Sequence, residues 1–170
     1  VLTCGRTSRD LITFSKAIKA ANVKSHIICP DKEVTRLVRD DDLISIDQTT
    51  YSTGKKVNTY QKMADLMYKV RVIGIPLEKQ STLAGLTSLM DCLGFGKPVI
   101  MTKNPCIDLD IENLGIGTWV DAYDVDAWAK AIKWHFENIE QSNRMGNKAK
   151  VIGEQLSAES FGKKINSLII

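Results

Sequence analysis

Residues 76–102, PLEKQSTLAGLTSLMDCLGFGKPVIMT, decide the fold. A β-branched run at 70–75 precedes this stretch and a second run at 98–101 ends it, and both predict strands. Between them, Ala84 and Gly85 let the backbone approach a neighbouring group closely, and apolar residues then recur at helical spacing over 86–93. The stretch therefore predicts a strand, a loop, a helix and a second strand.

The beginning of this helix is a candidate anion site. Gly85 is followed by Leu86, Thr87 and Ser88, so the first turn is expected to present free N–H groups and the positive end of the helix dipole. The loop also follows a strand, and open α/β sheets bind ligands at the carboxyl ends of their strands. A diphosphate is an anion that would fit such a site.

Further alternation of strands and helices surrounds this unit. The pattern predicts a Rossmann-like parallel sheet with helices on both faces, in the α/β class. Asp10, Thr7 or Ser8 is expected to cap the first helix, and Asp124 a later one that carries a wide apolar stripe. Strands are expected at 1–4, 25–29, 43–46, 70–75 and 98–101.

Composition and charge narrow the class of protein and the kinds of ligand that are expected. The 170 residues, 44% of them hydrophobic and 25% charged, indicate one soluble globular domain over 1–170. The formal charge of +3 is mildly basic, and the Lys and Arg residues are scattered rather than clustered, which argues against a nucleic-acid partner. A small anionic ligand is compatible with this balance.

The four cysteines predict no disulfide framework and no metal site. Cys4, Cys29, Cys92 and Cys106 form no C-x-x-C pair and have no histidine at metal-ligand spacing. Free thiols are typical of a reducing compartment, and the sequence shows neither a membrane-spanning apolar segment nor a signal peptide. The expected location is the cytoplasm.

Residues 84–100, AGLTSLMDCLGFGKPVI, resemble the donor-binding signature of GT-B glycosyltransferases, particularly the retaining family 4. On this resemblance Asp91 corresponds to the second of two acidic residues. The family has a Glu there, and the Asp91 side chain is one methylene shorter. Leu83 stands where the first, a Glu, would be, and Glu78 is the nearest carboxylate. The resemblance also implies a short strand near 115–120.

The resemblance implies a nucleotide-sugar site built from two loops. Gly5 and Arg6, with Arg9, would hold the diphosphate of a UDP- or GDP-sugar together with the backbone of residues 85–88, while Asp91 would accept bonds from the ribose. Two guanidiniums can offset much of a diphosphate's charge without a metal, so no metal and no other cofactor are expected. The alternative for each arginine is an ordinary solvated loop charge.

The resemblance places the nucleobase of the donor near Cys29 and Pro30 or near residues 57–68. Transfer would retain the anomeric configuration, most commonly in bacterial surface polysaccharide synthesis, which is compatible with peripheral membrane association of the full enzyme. Because the chain opens on a strand without Met, we expect a fragment of a two-domain enzyme whose amino-terminal acceptor domain lies outside it. Such a fragment alone should bind donor weakly and transfer nothing.

Two alternatives stay open. A nucleotide-sugar epimerase shares the architecture but needs acid–base residues that face the sugar, and a non-catalytic α/β module would keep the fold without a working site. Leu83 in place of the first acid favours the module. His26 and His135 both lie in apolar surroundings, which indicates packed rather than catalytic histidines.

Overall fold

The computed structural model describes residues 1–5, 7–28, 32–47, 59–79 and 81–169. Strands and helices alternate through most of this part of the chain, as the sequence pattern predicts. The strands are β1 (Leu2–Thr3), β2 (Ser25–Ile28), β3 (Ile44–Asp47), β4 (Ile73–Ile75), β5 (Val99–Thr102) and β6 (Gly117–Val120). The helices are α1 (Leu11–Ala21), α2 (Lys32–Leu37), α3 (Thr59–Lys69), α4 (Leu86–Gly94), α5 (Val125–Glu137), α6 (Ile139–Gln155) and α7 (Ala158–Ile169).

All six strands of the described sheet are parallel, in the order β3-β2-β1-β4-β5-β6. Leu2 of β1 is level with His26 of β2 on one side and with Ile73 of β4 on the other. The chain first adds strands on one side of β1 and then returns to add the rest on the other side. The Rossmann-like α/β architecture expected from the sequence is confirmed, and the strand order reverses between β1 and β4.

Two apolar cores cover the two faces of the sheet. Neighbouring strand residues such as Ile27 and Ile28 point to opposite cores, because side chains alternate along a strand. Helices α1, α2 and α5 contribute to the first core, and α3, α4 and α6 to the second. Phe14 and Trp128 meet edge to face in the first core, with ring centroids 5.8 Å apart. Each fully buried side chain of this kind contributes about 1.5–3 kcal/mol.

Aspartates cap the two helices for which the sequence predicts caps. The Asp10 carboxylate accepts a bond from the Thr13 amide at 3.0 Å, and the Asp124 carboxylate one from the Ala127 amide at 2.8 Å. Each cap satisfies an amide that the first helical turn leaves unpaired. Of the alternatives for α1, Asp10 is therefore the capping residue.

Strand boundaries differ most from expectation at β4, which begins at Ile73 rather than Val70. The Val70 amide still donates to the Leu66 carbonyl at 3.1 Å, so the hydrogen bonding of α3 continues through the expected start of the strand. The described part of β1 is likewise limited to Leu2 and Thr3. These changes shorten two central strands without moving either loop at their carboxyl ends.

Helix α7 leaves part of its apolar face uncovered. Phe161 is 65% exposed and Leu168 is 81% exposed. Among the described helices, none combines the length and hydropathy needed to cross a bilayer.

Candidate functional site

The loops that follow β1 and β4 are joined to each other at the point where the strand order reverses. The Asp10 amide donates to the Pro76 carbonyl at 3.2 Å, and the Glu78 amide donates to the Ser8 carbonyl at 3.1 Å. Adjacent parallel strands bring their carboxyl ends to one edge, and here backbone bonds hold the two loops together. We call this edge, with the described residues of 4–10, 76–88 and 102–104, the carboxyl edge.

Arg9 connects the β1 loop to the first turn of α4. Its Nε donates to the Cys4 carbonyl at 3.1 Å, its Nη1 to the Thr7 carbonyl at 3.0 Å and its Nη2 to the Ser88 hydroxyl at 2.9 Å. Burial lowers the pKa of Arg9, yet a guanidinium stays charged at neutral pH. A guanidinium has five N–H donors, so these three bonds fix its plane and leave donors for a ligand.

Gly5 makes room for this guanidinium. Its φ of 111° is unfavourable for a residue with a side chain, and a Cβ at this position would overlap Nη2 of Arg9. The glycine of the opening loop is thus explained by the arginine that lies against it. Its proposed contact with a ligand stays a prediction.

Gly85 has a similar role at the beginning of α4, where its φ is 88°. A Cβ there would lie 2.6 Å from Cε of Met101 and 3.1 Å from Cδ1 of Leu77. The close approach that the sequence predicts at Gly85 is therefore made by the protein's own core. The missing side chain lets α4 begin directly against the ends of β4 and β5.

The first turn of α4 is less open than its sequence suggests. The Leu86 amide donates to the Leu83 carbonyl at 3.2 Å, so it is not free for an anion. Within the described residues the amides of Thr87 and Ser88 have no such backbone partner. Thr87 is exposed, whereas Ser88 is buried against Arg9. An anion at this helix end would thus meet two amides and the remaining donors of Arg9.

Two side chains that sequence reasoning missed hold the loop before Gly85. Asn104, which is 4% exposed, donates from Nδ2 to the carbonyls of Thr82 and Ala84, both at 2.9 Å. The buried Thr102 hydroxyl accepts a bond from the Leu77 amide at 2.8 Å. Both residues follow or end the buried strand β5, and a polar residue at the carboxyl end of an apolar strand is the signal that could have found them.

Asp91 lies on α4 beyond the first turn and has a partner on α3. The Tyr60 hydroxyl donates to Oδ1 of Asp91 at 3.3 Å, and the Tyr60 ring is 59% exposed. Burial raises the pKa of the Asp91 carboxyl, and the nearby Asp91 charge raises the pKa of Tyr60. The carboxylate therefore stands at the α3–α4 contact with an exposed phenol beside it.

Leu83, which the sequence resemblance aligns with the first acid of the donor-binding signature, presents an apolar side chain. It is 57% exposed in the loop before Gly85. Glu78 is exposed too, and its backbone amide ties this loop to Ser8. Arg6 and the Cys29–Pro30 segment lie outside the described residues, as do Val57 and Asn58 of the expected base region. Their roles stay predictions.

The two histidines have structural partners. Nδ1 of His26 lies 2.8 Å from the Ser45 hydroxyl and Nε2 lies 2.7 Å from Oδ2 of Asp47, which also pairs with Lys62. The Ser45 hydroxyl donates to the Ser25 carbonyl, and side chains of β3 contact both ring nitrogens, so these contacts hold His26 in place rather than form a hydrolytic arrangement.

His135 is fully buried, and its Nδ1 lies 2.9 Å from the Ser142 hydroxyl. Burial, and then the charge of Arg71, lowers the pKa of His135 to about 4. This histidine is therefore neutral at physiological pH and packed inside the protein, as its apolar surroundings predict.

Several solved structures have the same fold as this chain. WaaG, a glycosyltransferase involved in lipopolysaccharide biosynthesis, matches with a TM-score of 0.70 at 14% identity, over 99% of this chain and 46% of WaaG. Anabaena HepE, solved with UDP and glucose, matches with a TM-score of 0.68 at 11% identity, over 99% of this chain and 47% of that one. The chain thus spans about half the length of these two structures.

A third match is to a domain solved separately. The carboxyl-terminal domain of the Francisella tularensis group 1 glycosyltransferase LpcC has a TM-score of 0.65 at 15% identity, over 91% of this chain and 84% of that one. No protein-family model and no curated protein matches the sequence. The expected fold, that of a GT-B glycosyltransferase carboxyl-terminal domain, is confirmed.

Proposed function

We propose that the chain is the nucleotide-sugar-binding domain of a glycosyltransferase, with the donor diphosphate at the carboxyl edge. One observation carries the proposal: Arg9 joins the β1 loop to the first turn of α4 beside the reversal of strand order. Open α/β sheets bind nucleotides at this point of the sheet. HepE, which has the same fold, was solved with UDP, and this supports a UDP-linked donor.

The geometry suits a reaction in which negative charge develops on a leaving diphosphate. When the bond between the anomeric carbon and the phosphate oxygen breaks, the electron pair stays on the diphosphate. Arg9, already oriented by three bonds to the protein, and the amides of Thr87 and Ser88 can stabilise this charge without further reorganisation. Arg6 would add a second guanidinium, so the scheme requires no metal. The described residues contain no cluster of His, Cys, Asp and Glu suited to a metal ion.

Asp91 is proposed to accept hydrogen bonds from the ribose hydroxyls. Its bond from Tyr60 orients the carboxylate, and the exposed Tyr60 ring lies where a nucleoside could contact it. Because Asp91 also follows the first turn of α4, the same helix would contact both the diphosphate and the ribose. The proposed donor is a UDP- or GDP-sugar, transferred with retention of anomeric configuration.

Acceptor binding is assigned to the part of the protein that this chain does not include. The chain covers 46% of WaaG and 47% of HepE, and α7 exposes Phe161 and Leu168. An apolar helix face of this kind is suited to packing against a further domain. With WaaG acting in lipopolysaccharide biosynthesis, surface polysaccharide assembly is the setting we propose, with the full enzyme at the cytoplasmic side of a membrane.

Calorimetric titration of the chain with UDP, GDP and uridine tests the donor site. UDP or GDP should bind and uridine should bind more weakly, since it lacks the diphosphate that Arg9 and α4 would hold. Arg6→Ala should abolish this binding, whereas His26→Ala should affect folding only. Absence of both binding and thermal stabilisation at millimolar UDP and GDP would remove the main support for the proposal.

The non-catalytic module remains a second candidate because the Leu83 side chain offers no hydrogen-bond acceptor where the family has a carboxylate. A module with a degenerate site would not bind UDP or GDP, so the same titration separates the two. A protein that binds donor but whose full-length form interconverts nucleotide sugars instead of transferring them would be the epimerase.

A further inference from the structure

The opposite edge of the sheet contains a basic cavity. The segments that enter β4 and β5 meet the first half of α6 around an open cavity of about 320 Å³. Arg71 and Lys97 contribute cationic groups, and Asn143 and Asn147, one turn apart on α6, contribute amides. We call this region the amino-edge cavity. It lies at the ends of the strands remote from Arg9, because all strands of the described sheet are parallel.

The polar side chains that line the amino-edge cavity are cations or neutral amides. No carboxylate is among the described residues that line the cavity. Within the same part of the chain, neither Arg71 nor Lys97 forms an ion pair with Asp or Glu. Two cations that share one cavity repel each other, so an anion between them would be stabilised.

Arg71 supplies the observation that points to a ligand. Its guanidinium lies over the Phe136 ring, 5.4 Å from the centroid, which fixes the group in place. Its Nε is buried and has no hydrogen-bond partner among the described residues. An N–H buried without an acceptor is costly, and an anion in the adjoining cavity would offset part of this cost through its charge.

Lys97 is held beside Arg71 by backbone carbonyls. Its ammonium donates to the carbonyls of Tyr68 at 3.0 Å and Val70 at 2.9 Å, which closes the end of α3. An ammonium has three donors, so one remains for a ligand. The charge is partly dehydrated in this position, and that burial lowers the pKa of Lys97. A dehydrated cation with a spare donor attracts an anion more strongly than a solvated one.

We propose that the amino-edge cavity binds a phosphate group, carried either by a free small phosphate or by a phospholipid headgroup. A phosphate presents several acceptor oxygens, matching the Arg71 guanidinium, the Lys97 ammonium and the amide donors of Asn143 and Asn147. The cavity is larger than one phosphate needs, which leaves space for a phosphomonoester or bridging waters. The inference is independent of the proposed donor site at the other edge.

The test is a titration of the chain with sodium phosphate followed in ¹H–¹⁵N correlation spectra, with sodium chloride at matched ionic strength as reference. The proposal predicts saturable shifts of the Gly96 and Asn147 amides. Any phosphate bound at the donor site would instead shift the amides of Thr87 and Ser88, so the two sites are read separately.

Asn147→Asp is the sharpest variant because it places a negative charge in the cavity with almost no change of shape. Asn147 is exposed, so the fold should be kept. Phosphate affinity should fall about tenfold or more, and Arg71→Gln should weaken it by a similar factor. The matched control is Asn166→Asp, the same substitution at an exposed position of α7, which should leave the affinity unchanged.

Vesicles distinguish the two sources of phosphate. Sedimentation with phosphatidic acid vesicles, but not phosphatidylcholine vesicles, and loss of sedimentation in Asn147→Asp would identify a headgroup. Amide shifts with phosphate but no sedimentation would identify a free phosphate. If neither phosphate nor phosphatidic acid binds, or if Asn147→Asp binds as the unmodified chain does, the proposal is overturned.

Discussion

The two edges of the sheet each present an arginine, and the protein treats these arginines differently. At the carboxyl edge Arg9 donates three hydrogen bonds, to Cys4, Thr7 and Ser88. At the amino-edge cavity Nε of Arg71 has no hydrogen-bond partner within the described residues, and the guanidinium lies over the Phe136 ring. The same side chain is thus fully positioned in one place and left with open donors in the other.

This difference separates two uses of a cation. A guanidinium fixed by the backbone carries its charge in a preorganised position, which is what stabilisation of a developing charge requires. A guanidinium with an unsatisfied donor gains most from a ligand that completes its hydrogen bonds. The difference is therefore consistent with the proposed chemistry at the carboxyl edge and the proposed phosphate binding at the amino edge. The following substitutions test how far the two edges differ.

The largest effect is expected at Gly85, on which the carboxyl edge depends. Gly85→Ala combines a left-handed backbone with overpacking against Met101 and Leu77, and should cost about 3–5 kcal/mol of unfolding free energy. Urea denaturation measures it. Gly94→Ala, at the other end of the same helix, has no atom within 4 Å of the added Cβ and should be neutral or mildly stabilising. Equal costs at both glycines would contradict the account of Gly85.

Acid should destabilise the fold through His135, whose ring lies within reach of the Arg71 charge. Its pKa is lowered to about 4 in the folded state, whereas an unfolded histidine has a pKa of about 6.5. The unfolded state therefore binds a proton first as the pH falls, so this stability is complete above about pH 6.5 and is lost toward pH 4. The loss by pH 4 should be about 3 kcal/mol.

Urea unfolding of the unmodified chain and of His135→Gln, at pH 7.5 and pH 4, isolates this contribution. The variant lacks the titrating group, so the unmodified chain should lose about 3 kcal/mol more than the variant does between the two pH values. Parallel pH dependence in the two proteins would show that the ring is protonated in the folded state.

Asn104 tests whether the loop before Gly85 needs its side-chain support. Asn104→Ala removes the bonds to Thr82 and Ala84 and should cost about 2 kcal/mol. Because the loop precedes the proposed anion site, UDP affinity should fall as well. Asn113→Ala, in an exposed turn, is the control and should leave UDP affinity unchanged. A variant that loses stability but binds UDP normally would separate the loop from the site.

The smallest effect is expected for Ser88→Ala, which removes one bond from Arg9. The unfolding free energy should fall by about 1 kcal/mol, and UDP should bind several-fold more weakly because the guanidinium is less well oriented. Calorimetry measures both the binding and the thermal midpoint. Unchanged UDP affinity would mean that the Arg9–Ser88 bond is structural only.

Much of this architecture could be predicted from the sequence because it depends on local patterns. Apolar runs placed the strands, and Asp10 and Asp124 were found at helix starts where caps occur. The predicted start of β4 at Val70 was wrong. Valine favours a strand, but the Val70 amide still donates to the Leu66 carbonyl of α3. Intrinsic preference was overridden there by the continuing helix.

The site could be predicted only in outline. Both loops follow strands, so their edge of the sheet was foreseeable, but the Arg9–Ser88 bond joins residues 79 positions apart and depends on the strand order. Tyr60 and Asp91 likewise meet only because α3 and α4 lie on the same face of the sheet. The occupied Leu86 amide follows from the turn geometry before α4, which composition does not specify.

The most direct measurement is a crystal structure of the chain grown with UDP. The proposed donor site requires the diphosphate to lie within hydrogen-bond distance of the Arg9 guanidinium and of the amides of Thr87 and Ser88, with the uridine toward Asp91 and Tyr60. A diphosphate bound elsewhere, or one that contacts α4 but not Arg9, would show that the donor site is not at the carboxyl edge.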